Sequence, residues 1–343
     1  MSAPVASCLP AWSIPGGDVD LVGLDLRLGT NGPPRVLVGH EPARVRSASR
    51  HQIRFTVPPG DESGVLPVFV DPQPEAAAHL TVGRTLAAGL HMVDSPAFDG
   101  LGRLYVTESG SRGVKVPVPL FRVRPDGGRD PVAVELPNPT AVALGPDGAL
   151  YISSRFEGQV YRLTADDHVE VYCADLGVPT GLAFDADGSL FVGDRSGSIF
   201  RVSQGKQVDT FASLPSSVAA FHLAFGPDGC LYVTAPTLSS HDVLYRISPD
   251  RLVDVICGGF GRPQGLAFDS EGQLYVADAL AGASGLYRVD LTQPKPTPEL
   301  IVSTPAIVGV AFDPAGAMVL ASNDTVWRID TPLRPYLAWQ SHR

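Results

Sequence analysis

The chain has 343 residues, of which 44% are hydrophobic and 18% charged, and 26 Lys and Arg against 36 Asp and Glu give a formal net charge of −10. This apolar fraction is too high for an intrinsically disordered chain, and the acidic balance argues against nucleic acid as a partner because it offers no general attraction to phosphate. The 36 glycines and 32 prolines favour many turns over long helices.

The N-terminal sequence lacks the basic segment and long apolar run of a secretory signal. No stretch approaches the roughly 18 apolar residues of a membrane-spanning helix, so we expect no membrane partner. The four cysteines, Cys8, Cys173, Cys230 and Cys257, form no Cys-x-x-Cys pair and have no His at metal-ligand spacing. We therefore expect reduced, buried thiols and a cytoplasmic location.

Residues 1–83 alternate strand-like segments with Gly/Pro turns, as in a small β-sandwich. The segments IPGG at 14–17, VDLVGLDL at 19–26, VLVG at 36–39 and IRFTVPPG at 53–60 carry this pattern. The region resembles an IPT/TIG domain, which has an immunoglobulin-like fold. The resemblance implies an interaction module or spacer, so this sandwich is where a protein partner could dock.

The remainder, residues 84–343, contains six copies of one sequence unit. Its clearest copies are TGLAFDADGSLFVGD at 180–194 and QGLAFDSEGQLYVAD at 264–278, and the six copies begin at Ser95, Thr140, Thr180, His222, Gln264 and Val308. A period of about 40 to 45 residues, with several strands in each unit, is typical of propeller blades. Each copy reads as an inner strand, a tight Asp/Gly turn and a second strand, followed by a third strand with an aromatic-Arg pair and a polar outer strand.

Two segments compete to close the ring of blades. VGRTLAAGL at 82–90 resembles the outer strand that precedes each inner strand, whereas PYLAWQ at 335–340 is the C-terminal alternative. Closure matters because it removes open sheet edges. We favour the N-terminal segment.

The repeat P-x-G-L-A-F-D-x-x-G-x-L-Y-V-x-D resembles the NHL and SMP-30/gluconolactonase superfamily of six-bladed propellers, over about residues 85–330. The predicted fold is therefore all-β, with an immunoglobulin-like (IPT/TIG) sandwich at 1–83 and a six-bladed β-propeller at 84–343. The resemblance implies a small-molecule site but leaves the activity open, since this fold hosts lactonases, other hydrolases, lyases and inert binding scaffolds.

In a propeller, the loops before the inner strands and after the second strands open on the same face. His222 starts an inner strand there and is our candidate catalytic residue, as a general base, a metal ligand or a hydrogen-bond donor to a ligand. A structural His bonded to a neighbouring loop is the alternative.

The family resemblance also implies a divalent metal in the channel, held by a Glu, Asn residues and an Asp at the inner-strand starts. Asp94 and Asn138 lie near such positions and are tentative ligands for calcium, magnesium, manganese or zinc. The family's Asp has no match here, which puts the metal in doubt.

Several arginines fall on this same predicted face of an acidic protein. Arg112, Arg155 and Arg195 are candidate ligand-binding residues with Arg262, and they indicate an anionic small molecule. The alternative is that they pair with carboxylates of the same loops, Glu108, Glu157, Asp194 and Asp278. Thr180, Gln264 and Glu108 complete the predicted ligand-binding residues.

No nucleophile elbow, HExxH motif, P-loop or dinucleotide-binding motif is found. We therefore predict a small-molecule-binding propeller, with hydrolysis of a lactone or related ester as the leading chemistry. A non-catalytic scaffold for ligands or proteins, and a lyase that works without metal, are the alternatives.

Overall fold

A computed structural model describes residues 6–23, 34–71, 75–90, 95–239, 241–280 and 282–340. This part of the chain is built from β-strands, with one turn of 3-10 helix at Ala338–Gln340. The all-β prediction is confirmed. Within those ranges no helix is long and apolar enough to cross a membrane.

Eight strands form an N-terminal unit with its own hydrophobic core. They are β1 (Ser7–Leu9), β2 (Trp12–Ser13), β3 (Asp18–Val22), β4 (Val36–Val38), β5 (Glu41–Ala48), β6 (Gln52–Thr56), β7 (Gly64–Val70) and β8 (Ala78–Val82). They pair in the order β1-β3-β6-β5-β4-β7-β8-β2. Alternate residues face inward, as expected for strands with one buried face, and the core includes Leu21, Ile53, Phe55, Val68 and Leu80.

The remaining strands form the propeller. They are β9 (Arg84–Ala87), β10 (Ala97–Phe98), β11 (Leu104–Thr107), β12 (Leu120–Val123), β13 (Arg129–Pro131), β14 (Pro139–Leu144), β15 (Leu150–Ser154), β16 (Gln159–Leu163), β17 (Val169–Cys173), β18 (Pro179–Phe184), β19 (Leu190–Asp194), β20 (Ser198–Val202), β21 (Val208–Ser213), β22 (His222–Phe225), β23 (Leu231–Thr234), β24 (Asp242–Ile247), β25 (Val253–Phe260), β26 (Pro263–Phe268), β27 (Leu274–Asp278), β28 (Gly285–Val289), β29 (Glu299–Ser303), β30 (Gly309–Asp313), β31 (Ala317–Ala321) and β32 (Val326–Asp330).

Five separate four-stranded antiparallel sheets stand as blades, whereas the repeat predicted six. These sheets are β10–β13, β14–β17, β18–β21, β22–β25 and β30-β31-β32-β9. Strands β26–β29 pair in the same antiparallel order but belong to a twelve-stranded sheet that continues into the N-terminal unit. The number of separate four-stranded sheets is five because β2 pairs in parallel with both β29 and β8, which joins the two regions edge to edge.

The N-terminal strand β9 closes the ring, as favoured from the sequence. It pairs antiparallel with β32, with Ala87 opposite Val326 and Arg84 opposite Arg328. The competing segment 335–340 lies elsewhere, at one end of the central channel. The last sheet is therefore assembled from both ends of the propeller region, which removes an open edge from the ring.

The tight turns between first and second strands are held as their residue types predict. In the second blade, the Gly145 N–H donates to Ala149 O at 2.8 Å, and Gly148 takes a φ of +78° that suits glycine. Arg162 of the aromatic-Arg pair donates from Nε to Asp147 Oδ2 at 2.7 Å. The Asp147 carboxylate thus belongs to the turn and binds the arginine of the third strand.

All four cysteines are buried and unpaired with one another, which confirms that prediction. Burial raises the pKa of the Cys8 and Cys173 thiols to about 12, and that of the Cys230 and Cys257 thiols to about 11. The neutral thiol therefore dominates at every one of these sites, and they behave as small apolar side chains.

Candidate functional site

A large cavity lies at the end of the channel where the inner strands begin, which we call the upper end. It measures about 920 Å³, and Arg155, Thr180, Arg195, Arg262 and Gln264 are among its lining residues. The loops that precede inner strands and those that follow second strands meet here, as expected for a propeller. We call this space the upper cavity.

The carboxylates beside these arginines are held by the backbone. Asp194 accepts from the Val178 N–H at 2.7 Å and from the Ser196 hydroxyl, and Asp278 accepts from the backbone N–H groups of Gly261 and Arg262 at 2.8 and 2.7 Å. Both residues end a second strand and anchor the loop that enters the same blade. Their role is to fix the rim of the cavity, which is a use that spacing alone did not reveal.

The guanidinium groups rest on carbonyl oxygens. Arg195 donates from Nε to Ser217 O at 3.3 Å and from a terminal nitrogen to Val218 O at 2.9 Å, and Arg155 donates to Gly110 O at 2.9 Å. In the described part of the chain, no carboxylate forms an ion pair with Arg195 or Arg262 within 4 Å. For Arg195, these neutral acceptors orient the guanidinium and do not compensate its positive charge.

The polar groups of Asn138 and Thr180 make hydrogen bonds within the fold. Asn138 is buried at a φ of +43°; its amide nitrogen donates to Ser109 O at 2.5 Å and Ser111 O at 2.9 Å, and its oxygen accepts from the Gly113 N–H at 2.7 Å. Thr180 lines the cavity, but its hydroxyl donates to Gly193 O and accepts from the Phe221 N–H. Both side chains therefore hold loops and strands through these hydrogen bonds.

His222 lies deeper in the channel, buried beside a second space of about 100 Å³. Gly181 and Gly265, which directly follow Thr180 and Gln264, line the same space. The structure thus places the candidate base within the channel, one residue along the strands from the floor of the upper cavity. The inner strands approach each other closely at these glycines, since a Cβ on Gly181 would collide with Phe221 O.

Arg112 and Glu108 are separated from the upper cavity. Arg112 is exposed and lines a neighbouring space of about 530 Å³, the lateral cavity, together with Arg155 and Arg195. Glu108 is partly exposed, lines neither cavity, and donates its backbone N–H to Pro119 O. A role of Glu108 in ligand binding stays a prediction.

The described residues do not fit the divalent metal that the family resemblance implies. The Asn138 amide oxygen accepts a hydrogen bond from the Gly113 N–H, and Asp94 lies outside the described residues. Across the described ranges, no three His, Cys, Asp or Glu side chains converge as ligands would. We derive no chemical step through a metal.

Sequence reasoning missed two features of the channel. Asp324 lines the upper cavity opposite the arginines, on a loop that lacks the repeat's strand motif. At the other, lower end, segment 335–339 covers an apolar space of about 200 Å³. Tyr336 donates its N–H to Phe268 O at 2.9 Å, and the Ser270 N–H donates to Arg334 O at 2.8 Å. A run of tyrosine and tryptophan just beyond the last strand was the available signal.

Comparison with known proteins identifies the fold. No family model matches the chain, and no curated protein does. A gluconolactonase from Xanthomonas campestris shares 17% identity at a TM-score of 0.61, over 90% of this chain and 100% of that one. A virginiamycin B lyase from Staphylococcus aureus shares 15% identity at a TM-score of 0.53, over 87% of this chain and 99% of that one.

A third likeness spans both regions of the chain. An auxiliary nutrient binding protein from Bacteroides thetaiotaomicron shares 12% identity at a TM-score of 0.55, over 94% of this chain and 97% of that one. At such identities a likeness establishes the fold alone. The chain is thus a β-propeller of the kind found in gluconolactonase-like proteins and virginiamycin B lyase.

Proposed function

We propose that the chain binds an anionic small molecule in the upper cavity. The observation that carries this proposal is that Arg155, Arg195 and Arg262 line one cavity while the carboxylates of Asp194 and Asp278 are bound to backbone N–H groups. The Arg195 guanidinium, which is held by the neutral carbonyls of Ser217 and Val218, is a donor for a carboxylate or phosphate. At about 920 Å³ the cavity has the size of a small-molecule site.

The charge of the whole chain makes this cavity stand out. The net charge is −10, so a surface chosen at random is expected to repel anions. A concave site with low-dielectric walls concentrates the field of the charges that line it. Three arginines at one mouth therefore create a local attraction that the rest of the molecule does not offer.

The direct test is anion binding measured by calorimetry at low ionic strength. Removing one charge-assisted contact in Arg195→Gln is expected to lower affinity about 10- to 100-fold, the range for hydrogen bonds to charged groups. Arg44→Gln is the matched control, since Arg44 is an exposed arginine of the N-terminal unit. If no carboxylate, phosphate or sulfate binds the wild-type protein, or if both variants lose affinity equally, the proposal fails.

A catalytic role for His222 is the second candidate function. It is favoured by the burial of this imidazole in the channel, next to the space that adjoins the upper cavity. As a general base it would take a proton from water attacking a lactone or ester carbonyl, and return it to the leaving oxygen as the ring or ester C–O bond breaks. A lyase would use the same base to take a proton from the substrate.

Turnover of a panel of lactones and esters by wild-type protein and His222→Gln tests this candidate. Loss of turnover with anion binding retained is the expected result. Metal content before and after chelation is measured in parallel, because the family resemblance implies a metal that the described residues do not fit. Anion binding without any turnover would instead favour the non-catalytic scaffold, the reading that the nutrient-binding likeness supports.

Finer assignments of the fold belong with these proposals. We count β26–β29 as a sixth blade, because its strand order repeats that of the other five sheets. We assign the N-terminal unit to the IPT/TIG type with a protein partner docking there, on the strength of its separate core and turn pattern. A cytoplasmic location and the absence of nucleic-acid and membrane partners stay predictions.

A further inference from the structure

Two buried residues with hydroxyl side chains line the upper cavity on the side of the first two blades. Ser109 is 2% exposed and Thr140 is 5% exposed. Within the part of the chain that the structure describes, neither hydroxyl has a hydrogen-bond partner. Buried polar groups nearly always form a hydrogen bond, since a buried group without one costs free energy. Two such groups on one cavity wall therefore point to a ligand that supplies the partner.

This wall is held rigidly in place. The Ser109 carbonyl accepts from Asn138 Nδ2, and the next carbonyl, Gly110 O, accepts from Arg155. The Ser109 backbone and the Arg155 guanidinium are thus fixed by one hydrogen-bonded loop. Donors that are oriented before binding lose little entropy when a ligand arrives.

The lateral cavity adds a second cationic space beside this wall. It measures about 530 Å³ and shares Arg155, Val178 and Arg195 with the upper cavity. Arg112 lines it from the first blade, and its described lining residues include no carboxylate. Arg155 and Arg195 therefore stand between two adjoining spaces, each large enough to hold part of a ligand.

We infer that the ligand carries at least two acid groups, an inference that rests on the proposed anion site. One binds in the upper cavity to the hydroxyls of Ser109 and Thr140 and to Arg155. The other lies in the lateral cavity against Arg112, and Arg195 separates the two. A molecule with a single acid group would leave one of the two cationic spaces unused.

Matched pairs of ligands test this inference. Glutarate, adipate and suberate are each compared with their monomethyl ester, so that size is kept while one charge is removed. At least one of these diacids is expected to bind wild-type protein about tenfold tighter than its ester, the gain for one further charge-assisted contact. Arg112→Gln is expected to abolish most of that difference, whereas Arg44→Gln keeps it.

The hydroxyls are tested by Thr140→Val and Ser109→Ala. Because neither hydroxyl has a hydrogen-bond partner among the described residues, both variants are expected to unfold at the wild-type temperature or above it, while affinity for the diacid and its ester falls severalfold. A merely structural role would produce the opposite result, with lower stability and unchanged affinity.

The outcomes separate this inference from the proposal on which it rests. If no anion binds the wild-type protein, the proposed function fails, and this inference with it. If esters bind as tightly as diacids, or if Arg112→Gln weakens both equally, only the two-acid ligand is overturned. Anion binding that depends on Arg195 would then survive as a single site.

Discussion

The two ends of the central channel differ although the same six inner strands build both. At the upper end, the six repeats begin with different residues, Ser95, Thr140, Thr180, His222, Gln264 and Val308. At the lower end they finish almost uniformly, with Phe98, Leu144, Phe184, Phe225, Phe268 and Phe312 lining one apolar space. Uniform residues serve packing that each blade needs, whereas divergent residues at one mouth are where an individual function can be built.

The largest expected effect comes from removing the cover of the lower end. Truncation after Leu333 deletes Tyr336 and Trp339 and exposes the apolar ring. The loss of two or three large apolar contacts is expected to cost about 3–5 kcal/mol, and to lower the unfolding temperature by about 10 °C for a domain of this size. Calorimetry and dye binding to exposed apolar surface measure both. Trp339→Phe is the control, and unchanged stability in the truncated chain would show that the cover contributes nothing.

Releasing the loop at the upper end is expected to have the next largest effect. Asn138→Ala removes three hydrogen bonds of a buried amide and places alanine at a φ of +43°. We expect a loss of about 2–3 kcal/mol of unfolding free energy, and faster proteolysis within residues 109–119. Asn138→Gly, which tolerates the backbone angle, is expected to recover part of the stability but not the protection. Equal stability of both variants would exclude a backbone contribution.

A smaller effect is expected from the carboxylate of the upper cavity. Asp324→Asn removes a negative charge opposite the arginines and keeps an oxygen that can accept from Ser322 and Thr325. Anion affinity is expected to rise about two- to fivefold at low salt, as for a partly solvated charge pair, and the gain should shrink as salt screens it. Titration at two ionic strengths measures this, and weaker binding would mean that Asp324 itself contacts the ligand.

The smallest effect concerns a turn at the lower end. Burial raises the pKa of the Asp185 carboxyl, which the Ser189 N–H and Arg201 only partly offset. A raised folded-state pKa means that the ionised form opposes folding at neutral pH, and that this cost fades as pH falls through the raised value towards the ordinary 3.8. Asp185→Asn is therefore expected to raise the unfolding temperature at pH 7 by about 1–3 °C, with the advantage disappearing in acid.

Asp99 provides the matched contrast, because it occupies the same turn position in the first blade. Its carboxylate receives the Arg103 Nε at 2.6 Å and two backbone N–H groups. Asp99→Asn is expected to destabilise the protein at pH 7. Thermal unfolding of both variants is measured between acid and neutral pH. If both substitutions change the unfolding temperature at pH 7 in the same direction, the difference between the two turns is contradicted.

The repeat made much of the fold predictable, but less of the site. Residue spacing placed Arg155, Arg195 and Gln264 at one mouth, because a propeller brings equivalent loops together. It could not assign Asn138, whose partners lie up to 29 residues away in a loop without a motif. The cover of the lower end could not be predicted either. Segment 335–340 could have closed the ring or covered the channel, and only packing decides between these two positions.

The short strand β2 has a consequence for any attempt to isolate the propeller. Trp12 and Ser13 occupy the outer edge of β29, opposite Val302 and Ser303, and Ser13 Oγ also donates to Ser303 O at 3.0 Å. Removing the first 83 residues would bare a row of unpaired backbone groups on that strand. Such an edge recruits strands from other molecules. We therefore expect the propeller to aggregate when the N-terminal unit is removed.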